Sequence, residues 1–207
     1  MGLDFTGLTT RIVSDRQLDL PGSVLAIGAF DGVHRGHQAL INATVTEARE
    51  RGLPSVLWTF DPLPKVLFGR AKALIPLRQR LALMASLGSD WIVVAPFTAQ
   101  YAARPALDFL ADLARINPQR IHIGEDFRFG ARQSGDLALL ARHFPVTPAP
   151  TITCSEGERI SSTRIRALCA TGRAEAAAPL LRAPHMFGSP GILPLTEDRR
   201  FNEDHHD

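Results

Sequence analysis

The stretch from Val24 to Leu40, V-L-A-I-G-A-F-D-G-V-H-R-G-H-Q-A-L, permits few folds, because an apolar run passes through a glycine-rich turn straight into an amphipathic segment. Val24, Leu25, Ala26 and Ile27 have the continuous apolar character of a strand buried on both faces, which belongs to a parallel sheet covered by helices. Gly28, Gly32 and Gly36 let the backbone turn tightly and come close to a ligand. From His37 onward, Leu40, Ile41, Thr44 and Ala48 recur on one side of a helical period, which predicts a helix beginning near Gly36. Its free N–H groups point back towards the loop, and such an end attracts phosphate.

His34 and His37 sit at the mouth of that helix with Gly36 between them, placed to donate to an oxygen-rich group. The spacing fits neither the Walker loop, which ends in G-K-[ST], nor the dinucleotide G-x-G-x-x-G. On its own the pair reads equally as a helix cap. Its position directly after a buried strand favours a ligand site, since α/β sheets collect ligands outside the carboxyl ends of their strands.

The rest of the chain repeats the alternation. Residues before Pro21-Gly22 supply an edge strand. Gly52 and Pro54 stop the first helix, and Ser55 to Phe60 is a second buried strand. It runs into a loop stiffened by Pro62 and Pro64, with Phe68 as an aromatic face. Pro76 to Leu87 is a helix with Leu77, Leu81, Met84 and Leu87 inward and Arg78, Gln79 and Arg80 outward. Asp90 to Ala95 is a third strand, Phe97 to Arg104 a polar aromatic loop, and Pro105 opens a helix with Leu107, Leu110 and Leu113 marking its inner face. Arg120 to Ile123 is a fourth strand, Leu137 to Phe144 a helix, and Pro145 to Pro150 a proline-rich connection. This alternation predicts a right-handed, doubly wound α/β fold.

Two later stretches carry chemistry. Gly124 to Asp136 is dense in glycine, charge and aromatics: Phe127 or Phe129 can stack on a flat ring, and Asp126 can accept from ribose hydroxyls or an amino group. In Glu158 to Arg166, E-R-I-S-S-T-R-I-R, Ser161 or Ser162 caps a helix running to Ala170 and closed by Gly172. Arg159 and Arg166 can there grip phosphate oxygens bidentately. Ala174 to Leu181 is a further short helix, and beyond Pro184 the periodicity ends.

At 207 residues and 45% hydrophobic content, the chain has material for one core, expected over residues 1–187, with residues 188–207 a polar, disordered tail. Lys+Arg 23 against Asp+Glu 21 gives +2, which excludes a long-range basic field recruiting nucleic acid or anionic membrane. No apolar run approaches a membrane span and residues 1–20 lack a signal peptide's layout, so a cytoplasmic protein is expected. Cys154 and Cys169 have no C-x-x-C arrangement, so buried inert thiols are expected and no metal site is assigned.

The segments G-A-F-D-G-V-H-R-G-H, T-F-D-P-L-P-K-V-L-F, I-G-E-D-F-R-F-G-A-R-Q-S-G-D and R-I-S-S-T-R-I-R-A-L-C-A-T-G together resemble the adenylyltransferase module of bacterial FAD synthetases, across residues 24 to 184. Those enzymes belong to the Rossmann-like H-x-G-H nucleotidyltransferase superfamily, and the resemblance implies that fold. It implies transfer of AMP from ATP to FMN, giving FAD and pyrophosphate, with Mg2+ on the phosphates. By that similarity His34 and His37 contact ATP phosphates, with Gly28, Phe30, Asp31 and Gly36 in the same nucleotide-binding loop. Asp126 serves the adenosine side, and Arg159, Ser162, Thr163 and Arg166 the leaving pyrophosphate. Pro62, Pro64, Phe68 and Phe129 border the flavin.

Two departures bear on the acceptor. Family members usually read P-H-P where this chain has Pro62-Leu63-Pro64, and the riboflavin kinase segment G-F-P-T-A-N does not occur in these residues. FMN then comes from a separate riboflavin kinase, or the acceptor is another phosphorylated small molecule. A non-catalytic flavin- or nucleotide-binding module is the third reading, opposed by the intact histidine pair and the complete Ser-Ser-Thr-x-x-Arg block.

Overall fold

The computed structural model describes residues 9–181. Its centre is a six-stranded sheet of β1 (Arg11–Ser14), β2 (Ser23–Ile27), β3 (Ser55–Asp61), β4 (Trp91–Pro96), β5 (Pro118–Gly124) and β6 (Val146–Ala149), in the order β1-β4-β3-β2-β5-β6. Every pairing is parallel. The chain builds outward from β2 through β3 to β4, then returns to the other side of β2 for β5 and β6. That reversal between β2 and β5 is the switch point at which doubly wound sheets open a crevice at their strands' carboxyl ends.

Helices α1 (Arg35–Arg51), α3 (Leu77–Ser86) and α5 (Ala106–Ala114) supply the covering layers, with the short helices α2 (Pro64–Leu67), α4 (Ala99–Ala102) and α6 (Leu137–Ala141) between them, and α7 (Ser162–Ala170) and α8 (Ala174–Leu181) at the end. Strand periodicity divides the core in two. Leu25 and Ile27 of β2, with Val56 and Trp58 of β3, pack against Phe109, Leu110 and Leu113 of α5. Ala26 and Leu57 face the opposite way, onto Ile41 and Val45 of α1 and Leu81 and Met84 of α3. All of β2 is buried, as its apolar run predicts, and each such Leu or Ile contributes about 1.5–3 kcal/mol by leaving water. Glu47 ties α1 to β5, its carboxylate 2.6 Å from His122 Nε2. α7 and α8 bury a small cluster of their own around Ile160, Ile165 and Leu180.

Several sequence expectations change. Residues 145–150 are no mere connection: Val146–Ala149 pairs with β5, and Pro148 is tolerated because β6 is the sheet edge, where a missing N–H breaks no second ladder. The helix from Leu137 ends at Ala141, three residues early, as the last turn tightens before Pro145. Arg80 points inward and is 2% exposed. Leu107, expected on the inner face of its helix, is 62% exposed, the core being met by Phe109, Leu110 and Leu113 instead. Both cysteines are free and half-buried, not buried, and Cys154 Sγ accepts from Arg164 Nη1 at 3.2 Å. Cys154, Glu156 and Glu158 bring ligand-type atoms within 4.8 Å of one another, but the Arg164 guanidinium is the cation they hold. The expected tail, residues 188–207, lies outside the described residues.

Candidate active site

The loop after β2 is held from below. Phe30 takes a left-handed backbone (φ 49°) and is fully buried, and a side chain at Gly28 would meet its ring at 3.2 Å. Phe30 meets His37 edge-on at 5.4 Å between ring centres. It therefore supports the loop and does not line the cavity, a different place from the nucleotide contact expected of it. A turn over Asp31–Val33 follows, and His34 caps α1, its Nδ1 accepting from the His37 N–H at 3.3 Å. Because Nδ1 accepts, the neutral ring carries its proton on Nε2.

The two imidazoles stack at 3.6 Å. Burial, with the Arg159 charge reinforcing it, holds His34 down to about 4. Burial again, reinforced by the neighbouring His34 ring and the Arg80 charge, holds His37 well below the ordinary imidazole range. Both rings are neutral donors at physiological pH. Gly36 admits this stack: a Cβ there would lie 3.2 Å from the His34 ring.

Asp31 joins the two ends of the chain. Its carboxylate, nearly fully buried, accepts from the Leu74 N–H at 2.9 Å and pairs with Arg166 of α7, while its carbonyl accepts from Ser162 Oγ at 2.9 Å. Ser161, not Ser162, caps α7. Arg166 Nε also donates to the Lys72 carbonyl at 2.8 Å. Asp31 and Ser162 thus aim the Arg166 guanidinium. Lys65 donates to Thr163 Oγ1 at 3.3 Å, and Arg159 pairs with Asp126 at 3.0 Å. That second pair is exposed on both sides, so it contributes at most about 1 kcal/mol and exchanges readily for ligand contacts.

These elements enclose a cavity of about 1290 Å³ at the carboxyl ends of the strands. Gly28, Asp31, His34, Gly36 and His37 line it from the first loop; Asp126 and Phe129 from the loop after β5; Arg159, Ser162, Thr163 and Arg166 from the start of α7. Pro64 and Phe68 border it from α2, whereas Pro62 does not reach it. Phe129 is 7% exposed, its ring stacked on Phe127 and tilted against Phe109, so it presents little surface there.

Sequence reasoning missed several lining residues. Lys65, Arg70, Arg104, Arg128 and Arg132 join Arg159 and Arg166, making seven cations against the carboxylates of Asp31, Glu125 and Asp126. A chain of net charge +2 thereby concentrates positive charge in one cleft, suited to a polyphosphate. Tyr101 places a buried hydroxyl without a partner beside Phe97 and Phe60, and burial pushes its phenol up. Leu63 is buried at the cavity wall.

With this geometry in place, the relatives can be compared. The FAD synthetase family matches residues 16–164. A protein of Geobacillus thermodenitrificans (strain NG80-2) named for riboflavin kinase and FMN adenylyltransferase activities is 47% identical over 171 residues, 83% of this chain and 96% of that protein. The bifunctional riboflavin kinase/FMN adenylyltransferase of Escherichia coli (strain K12) is 39% identical over 173 residues, covering 79% of this chain and 55% of that protein. The chain therefore spans about half the length of the Escherichia coli relative. A solved structure of a macrolide-efflux protein from Streptococcus pneumoniae superposes with a TM-score of 0.73 at 28% identity, over 84% of this chain and 61% of that one. Among the described residues no helix is long and apolar enough to cross a membrane. The matched family, the relatives that share most of the chain and a parallel sheet with its cationic cleft at the switch point agree that this chain belongs to the FAD synthetase family.

Proposed function

We propose that this chain transfers AMP from MgATP to FMN, forming FAD and releasing pyrophosphate. The observation that carries the reading is the meeting of both helix mouths in one cleft: His34 and His37 from α1, Arg159 and Arg166 beside α7. A phosphate oxygen of FMN attacks the α-phosphorus in line, and the bond to the bridging oxygen breaks with its electron pair leaving on pyrophosphate. No covalent intermediate with the protein is required, only alignment and charge stabilisation. His34 and His37 donate N–H bonds to phosphate oxygens without having to lose a proton. Arg166, aimed by Asp31, and Arg159, released from Asp126, take the leaving pyrophosphate. Asp31 stays engaged by Arg166, and the magnesium ion would travel as part of the substrate, held mainly by phosphate and water. The aromatic wall of Phe68, Phe97 and Tyr101 suits an isoalloxazine ring.

Incubating the protein with MgATP and FMN is expected to yield FAD and pyrophosphate in equal amounts. Binding of both ligands without turnover would overturn the reading in favour of a non-catalytic module. Leu63 supports a second reading, transfer to a different phosphorylated acceptor, which pyrophosphate release with that acceptor and not with FMN would establish.

The buried imidazoles also set an acid limit on stability. Unfolded, His34 takes up a proton near pH 6.5; folded, it does so only near 4, so the unfolded state binds more protons in between. Stability is then fully present above pH 6.5 and falls as pH drops towards 4, by about 3 kcal/mol from His34 alone. Urea unfolding at pH 5 and pH 7.5 checks this. The midpoint is expected to be lower at pH 5, with a smaller difference in His34→Gln.

A further inference from the structure

We infer that Arg80 is a positioning residue for the transfer, fastening the nucleotide-holding loop to the acceptor-side segment so that the two substrates meet at a fixed separation. The inference rests on the activity proposed above. Arg80 lies in α3, outside every segment that carries a recognised motif, and is 2% exposed. Its Nη1 donates to the Ala29 carbonyl at 3.1 Å and its Nη2 to the Phe60 carbonyl at 2.8 Å. Asp61, the nearest carboxylate, lies 3.4 Å away and is 43% exposed, a weak partner for a buried charge.

The two carbonyls explain why a cation is kept there. Ala29 sits between Gly28 and Phe30 and leads to His34 and His37; Phe60 leads to Leu63, Pro64 and Phe68. Gly28 N–H still bonds the Trp58 carbonyl at 3.0 Å, but beyond that the strands part towards their loops. Thr59 Oγ1 adds a second bond to the Ala29 carbonyl at 3.2 Å. One planar guanidinium spans the gap, and its fork geometry fixes the distance between the two carbonyls. Packing alone would be served by an apolar residue like the neighbouring Leu81 and Met84, since a buried charge costs more to desolvate than such a residue. Each substrate can bind its own half of the cleft without this clamp. In-line attack cannot tolerate a change in their separation, and a misplacement of about 1 Å costs on the order of 10²-fold in rate.

The test uses Arg80→Met and Arg80→Lys. For each, kcat is measured, together with dissociation constants for ATP alone and FMN alone and the urea midpoint. Arg80→Met is expected to lose about 10²-fold in kcat, with both dissociation constants within about threefold of the parent protein. Arg80→Lys, which reaches one carbonyl at a time, is expected to recover part of the loss. A folded Arg80→Met with unchanged kcat overturns the inference, as does a loss that appears wholly in ATP binding. Should Arg80→Met fail to fold, the same split is read on Arg80→Lys, where an unchanged kcat overturns it. A parent protein that makes no FAD fails the proposed function; FAD made equally well by parent and variants fails only this inference.

Discussion

Replacing His37 with alanine is expected to lower ATP-dependent FAD formation by about 10²- to 10³-fold while leaving the sheet intact. The size follows from the ring's situation. His37 is neutral, because burial, reinforced by the neighbouring His34 ring and the Arg80 charge, opposes protonation, so under the proposed function it contributes as a hydrogen-bond donor and not as a fixed cation. A donor already oriented in a partly desolvated cleft needs no reorganisation as charge grows on the phosphate oxygens. The fold survives because α1 is capped through the His37 backbone N–H, which alanine keeps, accepted by His34 Nδ1. Single-turnover measurements with saturating ATP and FMN, beside far-ultraviolet circular dichroism, separate the two effects. A folded His37→Ala with a parental rate removes the imidazole from the chemistry.

Asp31→Ala is expected to damage stability and rate together. The carboxylate has two partners, the Leu74 N–H and Arg166, and is 2% exposed, so its loss leaves a backbone donor unpaired and a guanidinium without its counter-charge. Breaking a buried pair from one side costs about 3–5 kcal/mol; Arg166 keeps some access to water, which favours the lower end. About 3 kcal/mol corresponds to a fall in Tm of about 6–12 °C for a chain of this size. Under the proposed function the rate is expected to fall as well, because Arg166 would no longer be aimed at pyrophosphate. Asp126→Ala is the contrasting variant: its pair with Arg159 is exposed, so Tm is expected to move little. Equal Tm shifts in the two variants would refute the distinction.

How far these residues were legible in the sequence depends on what kind of information places them. The alternation of strands and helices was legible because β2 and β3 are buried on both faces almost throughout, and β2, β3 and β4 all read as mainly apolar runs. The histidine pair was legible because it follows such a run directly. β6 was not: Pro148 argues against a strand, and only the sheet's edge position makes it acceptable. Arg80 is the more instructive miss. It stands three residues after Leu77 and four before Met84, so the helical period had put it on the inner stripe, and only its charge suggested solvent. Its partners are two carbonyls brought together by the sheet, which no local pattern encodes. Phe30 and Asp31 were found as members of the loop, but their work as a buried prop and as the anchor of Arg166 depends on elements far along the chain.

The join between Asp31 and α7 also sets the order in which the molecule becomes competent. Ser162 and Arg166 reach back to Asp31, and Gln38 donates to the Val33 carbonyl at 2.7 Å and to the Leu181 carbonyl at 3.0 Å. A chain emerging from the ribosome releases its last strand at Ala149, before any of α7 has appeared. It can finish the six described strands with the imidazoles and the cations of the earlier loops already at the cleft; Arg159 and Arg166 join them only afterwards, when α7 packs back onto Asp31.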